Sequence, residues 1–248
     1  MYPFNDQVFI IAELSANHNN DFDLAVDTIK AMAKAGANAV KVQTYTADSL
    51  AINVDNDIFG KRKEGLWKGR TLWDLYKEAS MPYEWHEPLQ KVAQELGLVF
   101  FSSPFDVDGV AFLEQLNVPL YKIASFEITD IPLIRAVAKT GKPIIISTGV
   151  AQEADISLAL ETCHRENNHQ VTLLKCTSNY PSTLADANLK TMADMRARFD
   201  VTVGVSDHTM GSIVPITATA LGARVIEKHF ILDRSLGGPD SAFSMEPR

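Results

Sequence analysis

The sequence predicts a (β/α)8 TIM barrel, and three observations predict it. Eight apolar, strand-like runs recur along the chain, separated by stretches of helical periodicity. Each run ends in residues that hydrogen bond or ionise, from Glu13 near the start to His229 near the end. A closed parallel barrel gathers its strand C-termini into one mouth, and that mouth is where such barrels carry their chemistry. Length agrees: 248 residues suit one α/β barrel better than two ordinary domains, so residues 1–248 are expected to form a single catalytic unit.

The first strand is the β-branched run Val8 to Leu14. Asp21 to Ala37 follows as an amphipathic helix, with Leu24, Ile29, Met32 and Ala33 near helical spacing and Gly36 near its end. Ala39 to Thr44 is the second strand. Its alternation sets Val40 and Val42 toward the helices and points Lys41 and Gln43 into the barrel. Asp48 to Pro82 then breaks the rhythm with about 35 residues, read as a long βα loop with a short helix of its own that shapes the substrate site. Alternation resumes with helix Tyr83–Leu96, strand Leu98–Ser103, helix Val107–Leu116 and strand Leu120–Ser125. Helix Pro132–Lys139 leads to strand Pro143–Thr148, and helix Ala154–Arg165 to strand Val171–Thr177. Helix Ala187–Phe199 precedes strand Val201–Ser206, and helix Ser212–Leu221 precedes strand Arg224–His229. Gly97, Gly141 and Gly222 sit where helices stop.

This count gives eight strands and seven barrel helices. The expectation is a chain cut before an eighth helix, with an apolar seam left between strands eight and one as an association surface. The bulk properties narrow the function classes. Hydrophobic residues make up 46% and charged residues 22%, the balance of a soluble enzyme. A net charge of −8 argues against nucleic acid as a partner, since phosphate neutralisation needs clustered Lys and Arg. No apolar run is long enough to cross a bilayer. Met1 to Asp6 lacks a signal-like pattern, so a cytoplasmic location is expected. Cys163 and Cys176 read as isolated thiols.

His208 and His229 end adjacent strands, which lie about 4.8 Å apart in a sheet. Two neutral imidazoles there, with positions left open, suit a catalytic divalent cation. The alternative is two hydrogen-bonded polar residues lining a mouth. Ser206 shares a face with His208, and Glu227 shares a face with His229; Asp207 and Glu227 are candidates to orient the histidines or to meet substrate. Lys41 and Lys122 occupy inward strand positions, where an ammonium is costly without an anion. Ringed by Ser103, Ser125, Ser147, Thr148 and Ser178, they suggest a phosphate or carboxylate pocket. A Schiff-base lysine and a structural Lys41–Glu13 ion pair are the alternatives. Glu13, in phase with Phe9 and Ile11, is a carboxylate among apolar neighbours, the setting that raises a pKa and suits proton exchange. His86 is expected to be structural or at the surface, and His164 and His169 solvated.

These segments together resemble the sialic acid synthase family. The matching residues are Ile10-Ile11-Ala12-Glu13 with Asn17-His18-Asn19, Ala39 to Thr44, Ser102 to Phe105, Tyr121 to Ser125 and Ser147-Thr148-Gly149. They continue with Cys176 to Pro181, Ser206 to Thr209, Glu227 to Phe230 and Gly238-Pro239-Asp240. The variants Glu13 to His18, Gln43 to Leu50 and Ser125-Phe126-Glu127 lean toward the family's pseudaminic acid branch, with the neuraminic and legionaminic branches as alternatives. The resemblance implies condensation of phosphoenolpyruvate with an N-acetylated amino sugar. It implies that His208 and His229 hold a divalent metal, Mn²⁺ foremost, with Mg²⁺ or Co²⁺ as alternatives. Lys41, Lys122, Ser103, Ser125, Ser147 and Ser178 would bind phosphoenolpyruvate, and Glu13 would handle protons. Tyr180, Glu227 and Asp240 would contact the open-chain sugar, with Asn17, Gln43, Ser206 and Asp207 completing the substrate set. It also implies a homodimer in which a small C-terminal antifreeze-like domain reaches the partner's site. That domain is missing from this sequence, so weak activity is expected of these residues alone. A metal-dependent sugar isomerase on the same barrel and an inert sugar- or anion-binding barrel are the competing readings.

Overall fold

A computed structural model describes residues 7–65 and 67–247; Leu66, Arg248 and the segment Met1 to Asp6, with the leader reading attached to it, lie outside the described residues. Eight parallel strands close into a barrel in chain order. They are β1 (Phe9–Glu13), β2 (Ala39–Thr44), β3 (Val99–Pro104), β4 (Tyr121–Ile123), β5 (Ile144–Ser147), β6 (Val171–Cys176), β7 (Thr202–Ser206) and β8 (Val225–His229). The first and last strands close the ring, with Phe9 opposite Val225 and Glu13 opposite His229.

Seven helices wrap the outside, one after each of the first seven strands. α1 (Phe22–Lys34) follows β1, and its start is fixed by the Asp21 carboxylate, which accepts from the Leu24 N–H. α4 (His86–Glu95) follows β2 and ends where Gly97 adopts φ 75°, a conformation that favours a residue without Cβ. α5 (Val107–Gln115) and α6 (Ile131–Lys139) are capped in the same way by Asp106 and Asp130, and Pro132 occupies the first turn of α6, where no N–H is needed. α7 (Glu153–Arg165), α8 (Thr191–Phe199) and α9 (Ile213–Ala220) complete the ring.

The structure departs from the sequence reading in three places. The long loop after β2 holds two helices, α2 (Ala47–Leu50) and α3 (Leu72–Ala79), rather than one. Helix α8 starts at Thr191, not Ala187, because Leu184–Ala187 is a 3-10 turn and Asn188 adopts φ 42°, which ends that turn and redirects the chain. Strand β4 stops at Ile123 because Ser125 already opens a 3-10 turn, Ser125–Thr129. After β8 the described residues form two 3-10 turns, Arg234–Leu236 and Ser241–Phe243, and a bridge between Phe230 and Met245. None of the described helices is long and apolar enough to cross a membrane.

The layering inside the barrel positions the site. Phe9, Ile11, Ala39, Phe101, Leu120, Ile145, Leu174 and Val225 fill its interior with apolar side chains. Side chains two residues apart on a strand share a face. Stepping two residues from this apolar plug toward each strand's C-terminus gives Glu13, Lys41, Ser103, Lys122, Ser147, Cys176 and Glu227; Gly204 of β7 leads likewise to Ser206. The barrel's floor is therefore dry and the ring above it wholly polar or ionisable, and every member is buried.

Candidate active site

Charge organises this ring. The Lys41 ammonium pairs with the Glu13 carboxylate, lies 3.7 Å from Glu227 Oε2 and donates to Ser103 Oγ at 3.4 Å. Lys122 Nζ lies 3.8 Å from Glu227 Oε1 and donates to the Ile123 carbonyl at 3.0 Å. Ser206 Oγ donates to Glu227 Oε1 at 2.8 Å. Glu227 thus sits between the two lysines and sets their spacing. Burial pushes Glu227 up, but Lys122 and Lys41 outweigh it and keep the carboxyl below its usual range. Burial dominates at Glu13 and raises its pKa to about 7, against the pull of Lys41. Burial lowers Lys122. Two carboxylates in one ring are thus driven in opposite directions, an arrangement that separates a proton carrier from a permanent anion.

His208 and His229 stand one step nearer the mouth, with ring centroids 5.4 Å apart. The Thr177 carbonyl lies 2.9 Å from His208 Nδ1, so this nitrogen donates and Nε2 faces the Cys176 thiol; burial lowers the His208 pKa, but the hydrogen bond and charge of Cys176 outweigh it and raise it above its usual range. His229 Nδ1 is buried without a hydrogen-bond partner and lies 3.8 Å from Asp240 Oδ2. Burial and the neighbouring His208 hold His229 well below its usual pKa, so the ring is neutral. A divalent cation requires imidazole lone pairs: His229 offers one as it stands, whereas at His208, raised by Cys176, the cation would compete with a proton. Among the described residues no cluster of three or more His, Cys, Asp or Glu forms a closed metal cage. The donor set fits an open two-histidine site completed by substrate or water.

Aromatic rings wall this level. Tyr180 packs on His208 at 4.3 Å, and Phe243 meets Tyr180 at 5.1 Å and His229 at 4.9 Å. Asp240 accepts from Ser15 Oγ at 2.5 Å and from the Ala16 N–H at 3.3 Å, tying the segment after β8 to the loop after β1. Ser125 Oγ accepts from the Gly149 N–H at 3.1 Å, and Ser147 Oγ is buried with no partner. Ser178 Oγ lies 3.9 Å from Cys176 Sγ, and Gln43 is half-buried opposite Ser103.

The structure brings Glu13, Lys41, Ser103, Lys122, Ser125, Ser147, Ser178, Tyr180, Ser206, His208, Glu227, His229 and Asp240 to one mouth. Two expected residues point elsewhere. Asp207 is buried on the outer side of the wall, where its carboxylate takes the Lys228 ammonium at 2.5 Å; it is one residue out of phase with Ser206 and His208. Asn17 directs its amide nitrogen to the Phe230 carbonyl and Ser244 Oγ, and so straps two loops together. His86 is wholly buried, not at the surface: Nε2 lies 2.8 Å from Thr44 Oγ1 in a polar chain behind β2. His164 and His169 are exposed, as expected.

Two residues of the mouth stood in the segments quoted from the sequence without a role of their own. Burial would raise the Cys176 thiol, but its hydrogen bond to His208 and that residue's charge lower it to about 7; its inward phase above Leu174 was the available signal. Glu127, in the turn after β4, is raised to about 7 by burial despite Lys122, and its Oε2 is buried without a partner. A turn has no periodicity, so only the branch variant Ser125-Phe126-Glu127 marked it, without a direction for its side chain.

A closed parallel barrel whose strand C-termini gather buried lysines, carboxylates, serines and two histidines at one mouth has the architecture of a barrel enzyme. The family comparison is more specific: residues 28–248 match the NeuB family model, and the chain belongs to the NeuB family. It is 51% identical over 237 residues to a pseudaminic acid synthase of Helicobacter pylori, covering 96% of this chain and 69% of that protein. It is 40% identical to an N,N'-diacetyllegionaminic acid synthase of Legionella pneumophila, covering 96% of this chain and 68% of that protein. An N-acetylneuraminic acid synthetase from Leptospira borgpetersenii, solved with citrate, superimposes with a TM-score of 0.86 at 35% identity. That match covers 98% of this chain and 79% of the solved one.

Proposed function

We propose that the chain condenses phosphoenolpyruvate with an open-chain diacetamido sugar, 2,4-diacetamido-2,4,6-trideoxy-altrose, and water. The products are a nine-carbon 2-keto sugar acid, pseudaminic acid, and phosphate. The observation that carries this reading is the buried Lys41–Glu227–Lys122 arrangement directly beneath His208 and His229. The high identity to pseudaminic acid synthases supports the choice of acceptor over that of the neuraminic branch.

In this reading Lys41 and Lys122, with Ser103, Ser125, Ser147 and Ser178, bind the phosphate and carboxylate of phosphoenolpyruvate. A buried hydroxyl without a partner, as at Ser147, costs about 1–3 kcal/mol and is satisfied by such an anion. Glu227 keeps the lysines charged and apart. His208 and His229 hold the divalent cation, Mn²⁺ foremost, which when bound polarises the sugar aldehyde as a Lewis acid. Tyr180 and Asp240 flank that position and orient the sugar. Attack by C3 of phosphoenolpyruvate on the aldehyde carbon, whose oxygen takes up a proton, leaves positive charge at C2; water adds at C2, and the C2–O bond to phosphate then breaks, releasing phosphate and leaving the keto group. Glu13 Oε1, with its pKa near 7, takes the proton of the water that adds there. The reading carries with it a cytoplasmic location, a homodimer and a single barrel unit for residues 1–248.

The test is phosphate release from phosphoenolpyruvate with Mn²⁺, comparing the diacetamido sugar with N-acetylmannosamine, and with a chelator added to a third arm. Release with the diacetamido sugar alone, abolished by the chelator, is expected. Release with N-acetylmannosamine instead would replace the acceptor assignment, and release in the presence of chelator would remove the metal from the reading.

A further inference from the structure

Behind the two histidines, on the outer face of the wall, lies a second pair. Asp207 precedes His208 and Lys228 precedes His229, and adjacent strand residues face opposite sides. Asp207 Oδ1 accepts from the Thr209 N–H at 2.9 Å, while Oδ2 accepts from Thr209 Oγ1 at 3.1 Å and from Lys228 Nζ at 2.5 Å. The same ammonium donates to the Thr209 carbonyl at 2.7 Å. His208 is therefore held between two residues, both bound to Lys228, and Lys228 is the covalent neighbour of His229. The side chains are 2% and 14% exposed, so the pair is shielded from solvent.

The position of the pair along the strands gives it this task. The β7–β8 register ends at Ser206 opposite Glu227, and the last backbone bond joins the Asp207 N–H to the Glu227 carbonyl at 2.9 Å. His208 and His229 lie beyond that ladder, so strand pairing does not fix the distance between them. His208 is anchored toward β6 by the Thr177 carbonyl, and its own carbonyl accepts from the Ser182 N–H at 3.0 Å. Neither contact reaches His229. The rings of Tyr180 and Phe243 pack on both histidines, but only as adaptable apolar contacts; the Asp207–Lys228–Thr209 cluster is the hydrogen-bonded link between the two chain segments at this level.

We propose that Asp207 and Lys228 are positioning residues: their buried ion pair is the strut that fixes the separation of His208 and His229, and so sets the affinity of the two-imidazole site for a divalent cation. The cation half of this inference rests on the metal site proposed above; the strut itself does not. The pair faces away from Lys41 and Lys122, so its loss spares the anion ring.

The experiment uses the chain with Lys228→Met, Lys228→Arg and Asp207→Asn. Free Mn²⁺ is titrated by electron paramagnetic resonance, phosphoenolpyruvate binding is measured without metal by calorimetry, and a metal-free crystal structure of each variant is determined. Lys228→Met is expected to weaken Mn²⁺ binding about tenfold or more, the scale typical of groups that orient metal ligands. Lys228→Arg should restore most of it, phosphoenolpyruvate affinity should hold in all three, and the ring separation in Lys228→Met should move from 5.4 Å. Asp207→Asn, nearly isosteric, decides the matter if Lys228→Met does not fold. An unchanged ring separation overturns the strut whatever the affinities do. If the parent chain takes up no Mn²⁺, the metal reading falls while the ring separation still judges the strut.

Discussion

Glu127 combines two features that the other carboxylates of the mouth show singly: it lies in a turn rather than on a strand, and its Oε2 is buried without a hydrogen-bond partner. Burial raises its pKa to about 7 from an ordinary 4.5. The folded carboxyl therefore holds its proton more tightly than the unfolded one. Below pH 4.5 both states are protonated and the full stability is present; it is lost as pH rises through about 7, by at most roughly 3 kcal/mol. Glu127→Gln, which cannot titrate, is expected to flatten this part of the profile and to be the more stable protein above pH 7. Urea denaturation of both proteins from pH 4.5 to 8 checks it, and parallel profiles would refute the assignment. Such a residue is hard to read in a sequence because no period points to it. Glu13, Lys41 and Lys122 were legible because strand alternation fixes their direction. Asp207 misled for the opposite reason: it adjoins a mouth histidine, and adjacency on a strand means the opposite face.

Strand β7 has no side chain where its neighbours carry bulk. Gly204 occupies the inward position below Ser206, and a Cβ there would meet the Val225 carbonyl at 2.2 Å and Leu174 Cδ2 at 2.8 Å. Glycine is thus needed for the close approach of β7 to β8, one step beneath the Ser206–Glu227 hydrogen bond. Gly204→Ala is expected to cost about 1–3 kcal/mol through overpacking and, by displacing Glu227, to weaken phosphoenolpyruvate binding. Denaturation midpoints and calorimetry read the two effects separately; a stable protein with unaltered binding would show that the barrel yields at this point. At this scale the sequence was most informative where apolar runs were continuous: eight strands and seven wrapping helices occur in the expected order, with β4 ending two residues early and α8 starting four residues late. It was least informative where one residue's backbone decides. Asn188 in a left-handed conformation delays α8; asparagine tolerates that conformation, but a single Asn between Ala187 and Lys190 does not by itself break a helical pattern. The loop after β2 hid a four-residue helix, α2, for the related reason that so short an element carries no period.

At the level of the whole molecule, charge and apolar surface are distributed for different ends. The net charge of −8 coexists with a mouth that holds two buried lysines, because an anion bound there responds to the local field rather than the sum. The apolar surface is less evenly arranged. The described residues after β8 lie against the loop after β1, as the Ser15–Asp240 and Asn17–Phe230 bonds show, and Met245 and Glu246 border the wall between β8 and β1 without filling it. A groove of about 520 Å³ remains there, lined by Val8, Ile10, Ala12, Pro215, Ile216 and Phe230. Ile10 is 44% exposed and Ile216 65%. Among the described residues this groove is an apolar surface, and contiguous apolar surface of this kind binds hydrophobic dyes where scattered single residues do not. The chain is expected to enhance anilinonaphthalene sulfonate fluorescence, and Ile216→Gln should remove about half of that enhancement because it breaks the patch at its centre. Ile58→Gln is the control: Ile58 is 83% exposed on the long loop and away from the groove, so its loss should leave the seam's share of the signal intact. Equal losses from the two variants would mean that the dye reads exposed isoleucine in general, and that the wall between β8 and β1 is no stickier than the rest of the surface.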